Sequence, residues 1–188
     1  MPPEPIIRPY LAKDRAAVAE ICHRTGYRGE DATPYFADRT LFAMIFALSY
    51  TDHEPEHCFV VDDGGSAVGY CVGTPDTQTQ IKRYTDVHVP AILRHLLTRT
   101  IWRHPRDLFT VLRWKRMAEQ PDEEHTRDLT ALRSTFPAHL HIDIMPSHHR
   151  RGLGSRLLDA FLSHLEERRD DQLHFPAGRE RLEGNGQV

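Results

Sequence analysis

The sequence predicts an α/β domain, a central sheet flanked by helices with a long helical insertion between the third and fourth strands. Three observations carry that prediction. Two β-rich runs in "HCFVVDDGGSAVGYCVGT" are joined through Asp62-Asp63-Gly64-Gly65, which is hairpin chemistry. An alternating apolar run, "AHLHIDIM", passes at once into a helically spaced run with two glycines at its mouth. Between the hairpin and that run lie residues 75–137, a connection too long to be a plain loop.

In chain order, "PIIRPY" is a short strand and "AKDRAAVAEICHRTG" a helix, with Asp14 near its start, Gly26 at its stop, and Val18, Ile21 and Cys22 on one face. "RTLFAMIFALSY" is a second helical segment, too continuously apolar for a surface helix, so it is core or lines a groove. The hairpin follows. In the insertion, "PAILRHLLTRTIWRH" predicts a helix that continues through "RDLFTVLRWKRMAEQ" after Pro105, and "EQPDEEHTRD" an exposed loop. The insertion as a whole is a lid or an accessory surface. After the fourth strand, Leu153, Leu157, Leu158, Phe161, Leu162 and Leu165 form the apolar stripe of a helix that packs on the sheet. Past Asp171 only Leu173 to Phe175 hint at a strand, and 172–188 is predicted to be a disordered tail.

The chain has 188 residues, enough for one domain with a real core. A net charge of -3 argues against a general binder of nucleic acid or anionic membrane, so any anion site must be local. Cys22, Cys58 and Cys71 are widely spaced and odd in number, which predicts reduced, buried thiols in a cytoplasmic protein. "MPPEPIIRPY" lacks the pattern of a secretory leader, and no run reaches the roughly 18 apolar residues of a membrane span.

The chemistry is concentrated in "HIDIMPSHHRRGLGSRLLDAF". A strand feeding a Gly-rich turn at a helix N-terminus leaves backbone N–H groups aimed outward, with the positive end of the helix dipole behind them. Gly152 and Gly154 let a pyrophosphate approach the backbone, and Arg150 and Arg151 add charge and forked donors at the rim. A dinucleotide fingerprint would need a third glycine at Leu157, and a Walker loop a Gly-Lys-Ser/Thr; both are absent.

The order of strand, basic loop, Gly-x-Gly and "SRLLDAF" resembles the acyl-CoA motif of the GNAT superfamily of N-acyltransferases, Arg/Gln-x-x-Gly-x-Gly/Ala, here His149-Arg150-Arg151-Gly152-Leu153-Gly154. "IIRPYLAKDRAAVAEI" is similar to that family's first strand and helix, and "CFVVDDGGSAVGYCVGT" to its second and third strands. "GYCVGTPDT", the insertion and "FPAHLHIDIMPSHHRRGLGSRLLDAF" resemble a microbial branch related to the acetyltransferase-like domain of O-GlcNAc hydrolases. The resemblance implies a mixed central sheet within a domain of residues 1–171. It also implies a fourth strand that pairs its backbone with pantetheine through Ile142, Asp143 and Ile144, and amides at Arg150 to Ser155 that hold the pyrophosphate of acetyl-CoA, the cosubstrate. His149 departs from the motif's Arg or Gln.

In such enzymes a base frees an amine to attack the thioester. Asp143 is the candidate base, with a structural partner as its alternative role. His139 and His141 share a strand face but lack a third ligand at fixed spacing, so no metal is expected, and Cys71 is expected in the core rather than at the thioester. The resemblance further implies a fifth strand and a later helix carrying a tyrosine acid, and nothing after Asp171 matches either. Three explanations stand: a truncated chain, a second subunit that completes the sheet, as in a homodimer, or a chain that no longer catalyses. The expected activity is acetyl transfer to an unidentified amine. The alternative is a non-catalytic CoA-binding or interaction module that uses Trp102, Arg103, Arg113, Trp114, Lys115 and Arg116.

Overall fold

Four strands pair in sequence order, all antiparallel: β1 (Ile6–Pro9), β2 (Phe59–Asp63), β3 (Ser66–Thr74) and β4 (His139–Ile144). The computed structural model describes residues 4–118, 129, 132, 133 and 135–174, with 118 and 169–174 described by backbone alone. The β2–β3 hairpin turns on Gly64 and Gly65 at φ 63° and 92°, the pair of positive dihedrals that a two-residue turn matched to strand twist requires. Asp62 Oδ1 accepts the Gly65 N–H at 2.6 Å and closes the turn. The mixed sheet implied by the family resemblance is represented, among the described residues, by an antiparallel part only.

Alternation along the strands sends side chains to two cores. Val60, Tyr70 and Val72 meet α1 (Arg15–Thr25), α2 (Arg39–Phe46) and α3 (Leu48–His53) through Val18, Ile21, Cys22, Leu41, Phe42 and Leu48. Phe59, Val61 and Cys71 meet the last helix through Leu153, Leu157 and Phe161. Each of these larger apolar side chains contributes roughly 1.5–3 kcal/mol on burial. Gly73 permits the close approach: a Cβ there would lie 2.6 Å from the His139 carbonyl and 2.7 Å from the Phe161 ring. The expected helix over 39–50 is in fact two, because Ala47 leaves helical geometry at φ -131° and α3 restarts beyond it.

The insertion is helical, with α4 (Thr77–Arg83), α5 (Val89–His95), α6 (Ile101–Arg103) and α7 (Pro105–Ala118). Wider π turns at Tyr84–His88 and Leu96–Thr100 join the first three into one rod, which ends where His104, at φ -137° and ψ 59°, leaves the helical region that a following proline disfavours. The rod and α7 are docked by buried polar groups. Asp107 accepts the Ala37 N–H at 2.9 Å and the Asp38 N–H at 2.6 Å. Asp38 caps α2 through the Leu41 N–H and accepts the Thr100 hydroxyl at 2.6 Å. Trp114, expected on a partner-binding surface, stacks on Phe36 with ring centroids 5.4 Å apart. The "EQPDEEHTRD" loop lies outside the described residues.

The last helix, α8 (Leu153–His174), is longer than its amphipathic pattern suggested. Leu173 and His174, expected in a strand, continue it, and Phe175 onward is outside the described residues. Its stripe is also narrower than expected. Leu158 and Leu162 are exposed, at 38% and 47%, because among the described residues the sheet meets only the Leu153, Leu157, Phe161 and Leu165 face.

Candidate active site

β4 is an edge strand, paired among the described residues with β3 alone. The Met145 N–H donates to Val68 C=O at 2.9 Å, which sets the phase of the ladder. Antiparallel alternation therefore turns the backbone groups of Leu140, Ile142 and Ile144 to the free edge and those of His139, His141 and Asp143 toward β3. Side chains alternate as well. Ile142 and Ile144 pack toward α8, while His139, His141 and Asp143 share the face covered by α1 to α3.

At the end of this strand the chain makes one turn of 3-10 helix, Pro146–His148, and enters the basic loop. Arg150 at φ 60° and Gly152 at φ 71° are both left-handed, which costs about 1–2 kcal/mol at the arginine and little at the glycine. This geometry turns successive N–H groups the same way. The Arg156 N–H reaches back to Gly152 C=O at 3.2 Å, and among the described residues the N–H groups of Arg150 to Ser155 have no backbone acceptor. They form a concave set of donors at the positive end of α8.

The two halves meet in one cleft of about 440 Å³, lined by Ile142, Asp143, Ile144, His148, His149, Arg150, Gly152, Leu153 and Gly154, with Thr25 and Gly29 from the end of α1 opposite. A Cβ on Gly152 would meet nothing within 4 Å, and one on Gly154 only Ile144 Cδ1 at 3.8 Å, so the cleft floor is bare backbone. Leu153 gives the cleft only its main chain, since its side chain is buried beneath α8. Arg151 and Ser155 belong to the same loop and first turn but do not line the cleft.

Asp143 lines both this cleft and a smaller cavity beside it. Its Oδ2 accepts the Tyr70 hydroxyl at 2.5 Å, and Tyr70 stands directly across the β3–β4 ladder. Burial pushes the Tyr70 phenol well above its usual range, so it is a fixed donor and not a source of protons near neutrality. Tyr70, Thr25 and Gly29 were not found from the sequence; the only signal would have been the strand register itself, which pairs Tyr70 with Asp143.

Three of the four histidines in and beside β4, His139, His148 and His149, are hydrogen-bonded. Thr77 donates its hydroxyl to Pro137 C=O at 2.5 Å and can then only accept from His139 Nδ1–H, leaving His139 Nε2 to accept from the Tyr50 hydroxyl at 2.7 Å. Burial lowers the His139 pKa and so favours this neutral tautomer. His148 pairs with Asp63 at 2.9 Å. His149, at the first motif position, turns its Nε2 to Ile144 C=O at 2.8 Å, one of the groups on the free edge. Cys71 lies on the α8 face, away from Asp143, and burial raises its thiol to about 12.

A four-stranded sheet flanked by helices, with the open edge of β4 beside the start of α8, is a GNAT-like fold. No family model matches the chain. Among solved structures it is similar to that described as "Crystal structure of SsHAT", with 37% sequence identity, a TM-score of 0.69, and coverage of 88% of this chain and 79% of SsHAT. The chain belongs to the family of SsHAT, whose fold is GNAT-like.

Proposed function

We propose that the chain transfers an acetyl group from acetyl-CoA to a primary amine by direct attack on the thioester. The observation that carries this reading is continuity: one cleft joins the amide cradle, the free edge of β4 and Asp143. The residues fit such a cosubstrate, because the floor is backbone where a side chain would fill the cradle. In this reading the amides of Arg150 to Ser155 hold the pyrophosphate, Arg150 faces it from the cleft wall with the charge of Arg151 behind it, and the outward groups of Ile142 and the Ile144 N–H pair with the pantetheine arm, His149 already holding Ile144 C=O. Bound acetyl-CoA supplies the activated acyl group. The N–C bond forms as C–S breaks, Asp143 accepts the proton lost by the amine, and the departing thiolate is protonated by water. A thiol-release assay over a panel of amines tests it: acetyl-CoA-dependent thiol release with at least one amine is expected, and none with any amine would overturn it.

A second reading, a non-catalytic CoA-binding module that docks a partner, is favoured by a different observation. Trp102 and Phe109 on the insertion are exposed, at 80% and 71%. Cofactor binding without turnover would favour it, and a second copy of this chain is the first partner to test, by sedimentation. Within the family, the proposed placement is the microbial branch related to the acetyltransferase-like domain of O-GlcNAc hydrolases. The proposed compartment is the cytoplasm, which the three free, buried cysteines support. Among the described residues no helix is long and apolar enough to cross a membrane.

A further inference from the structure

Beyond Asp143 the cofactor cleft continues into two smaller cavities. The nearer, about 180 Å³, shares Thr25 and Asp143 with the cleft and is walled by Cys22, Phe42, Phe46 and His141. The farther, about 230 Å³, shares Phe46 and His141 with the nearer and is lined by Tyr50, Gln80, Ile81 and Tyr84, the middle two of which separate it from a further cavity that holds Arg133. The two inner cavities lie on the α1 to α3 face of β4, from Asp143 to the first helix of the insertion, while the cleft reaches around the strand edge to Ile142 and Ile144. Phe46 and His141 form the waist between the two inner cavities.

The walls are chemically selective. Among the described residues lining the two inner cavities, Asp143 is the only carboxylate, and no lysine or arginine is present. Burial raises the Tyr50 hydroxyl to about 12 and pushes Tyr84 upward too, so both are neutral. Rings dominate what remains. Phe42 and Phe46 lie with centroids 4.7 Å apart, and Tyr50 meets His141 edge-on at 5.7 Å. Tyr84 is held on one of the two π turns, with its hydroxyl on Ile45 C=O at 3.3 Å.

We infer that these cavities are the acceptor site and that they select a primary amine carrying a flat apolar or aromatic body with no second charge. This rests on the acetyltransferase reading and deepens it. The amine nitrogen meets Asp143 at the mouth of the cofactor cleft, and the body passes the Phe46–His141 waist into the Tyr50, Ile81 and Tyr84 cavity. A polyamine or a lysine-rich peptide would bring further cations past walls with no carboxylate beyond Asp143 to meet them, and an acceptor bearing a carboxylate or phosphate would find no cation within these two cavities, Arg133 lying beyond Gln80 and Ile81.

The experiment measures kcat/KM for acetyl transfer from acetyl-CoA to 2-phenylethylamine, tryptamine, spermidine, glucosamine and a lysine-rich peptide, using the full chain. The aromatic amines are expected to exceed the others by about tenfold or more, a margin of the size an apolar pocket delivers. Phe46→Ala, at a half-exposed ring, should remove most of that margin. Ile81→Glu should move the preference toward spermidine by placing a carboxylate in the far cavity. Preference for spermidine or the peptide in the unmodified chain would overturn the inference and leave acetyl transfer standing. If no amine is acetylated, the acetyltransferase reading fails, and direct binding of 2-phenylethylamine, measured by NMR shift perturbation, decides the site. Binding lost in Phe46→Ala supports the pocket. Absence of binding, or binding unchanged by Phe46→Ala, overturns it.

Discussion

Tyr70 donates its hydroxyl to Asp143 from the opposing position across the β3–β4 ladder, at 2.5 Å. The carboxylate is thereby held on the wall shared by the cofactor cleft and the inner cavity, with one oxygen spent on the phenol. Asp143→Asn keeps an acceptor for Tyr70 but cannot take the proton of an amine. Turnover is expected to fall by about 100-fold or more while CoA affinity stays unchanged, as for loss of a general base. A change within about twofold, measured at saturating acetyl-CoA, would make Asp143 a structural partner of Tyr70 and no more.

The two motif glycines should respond in opposite ways. Gly152 has φ 71° with open space around a Cβ, so Gly152→Ala brings backbone strain of about 1–2 kcal/mol and a methyl in the cradle. Gly154 is the second residue of α8 and its Cβ would make only an ordinary contact with Ile144. Gly154→Ala should stabilise the fold by up to about 1 kcal/mol. Urea unfolding of both variants checks the signs.

Asp107 links α7 to the start of α2 through the part-buried Ala37 amide and the buried Asp38 amide. Asp107→Ala leaves those donors without their acceptor, at a cost on the order of 3 kcal/mol. The urea midpoint should drop accordingly. A loss under about 0.5 kcal/mol, the range of an ordinary surface substitution, would mean that the insertion is not docked as described.

Stability should decline on mild acidification because several histidines are buried neutral. His88 gives its Nε2–H to Met44 C=O at 2.8 Å, and burial lowers its pKa; His57 and His164, in mutual contact at 2.9 Å, are lowered for the same first reason. The unfolded chain takes up protons below its ordinary histidine value while the fold resists, so stability is lost as pH falls through about 6.5, by at most about 1.4 kcal/mol per pH unit for each. Asp14 acts in another window. The Arg8 hydrogen bond depresses its pKa, so its contribution is present above the unfolded carboxylate value and is lost only as pH falls through the lower folded one. Unfolding of the His88→Gln variant between pH 7.5 and 5.5 should show a shallower slope than the unmodified chain, in keeping with loss of one titrating group.

The hairpin, the fourth strand and the cradle were legible because each depends on local chemistry: two glycines in a turn, alternation over β4, a basic loop before a helix. What was not legible depends on tertiary neighbours. The break at Ala47 and the π turns of the insertion answer to packing and capping that no periodicity records. Trp114 resembled a surface residue by its basic neighbours, yet it stacks on Phe36 because α7 is docked through Asp107. Leu158 and Leu162 matched an apolar stripe, but whether a stripe is covered depends on the width of the sheet beneath it. His149 marked a departure from the acyl-CoA motif, and only the structure gives its ring a partner, the outward carbonyl of Ile144.

The central claim is that the cradle at Arg150 to Ser155 and the edge of β4 hold CoA. Isothermal titration of acetyl-CoA into the intact chain and into Gly152→Glu tests it most directly, because the substituted side chain projects a carboxylate into a cleft floor that is otherwise bare backbone. The account predicts one-to-one binding by the intact chain, weakened by at least about tenfold in the variant, as expected when a like charge faces a bound anion. No binding by the intact chain, or equal binding by both, would contradict it.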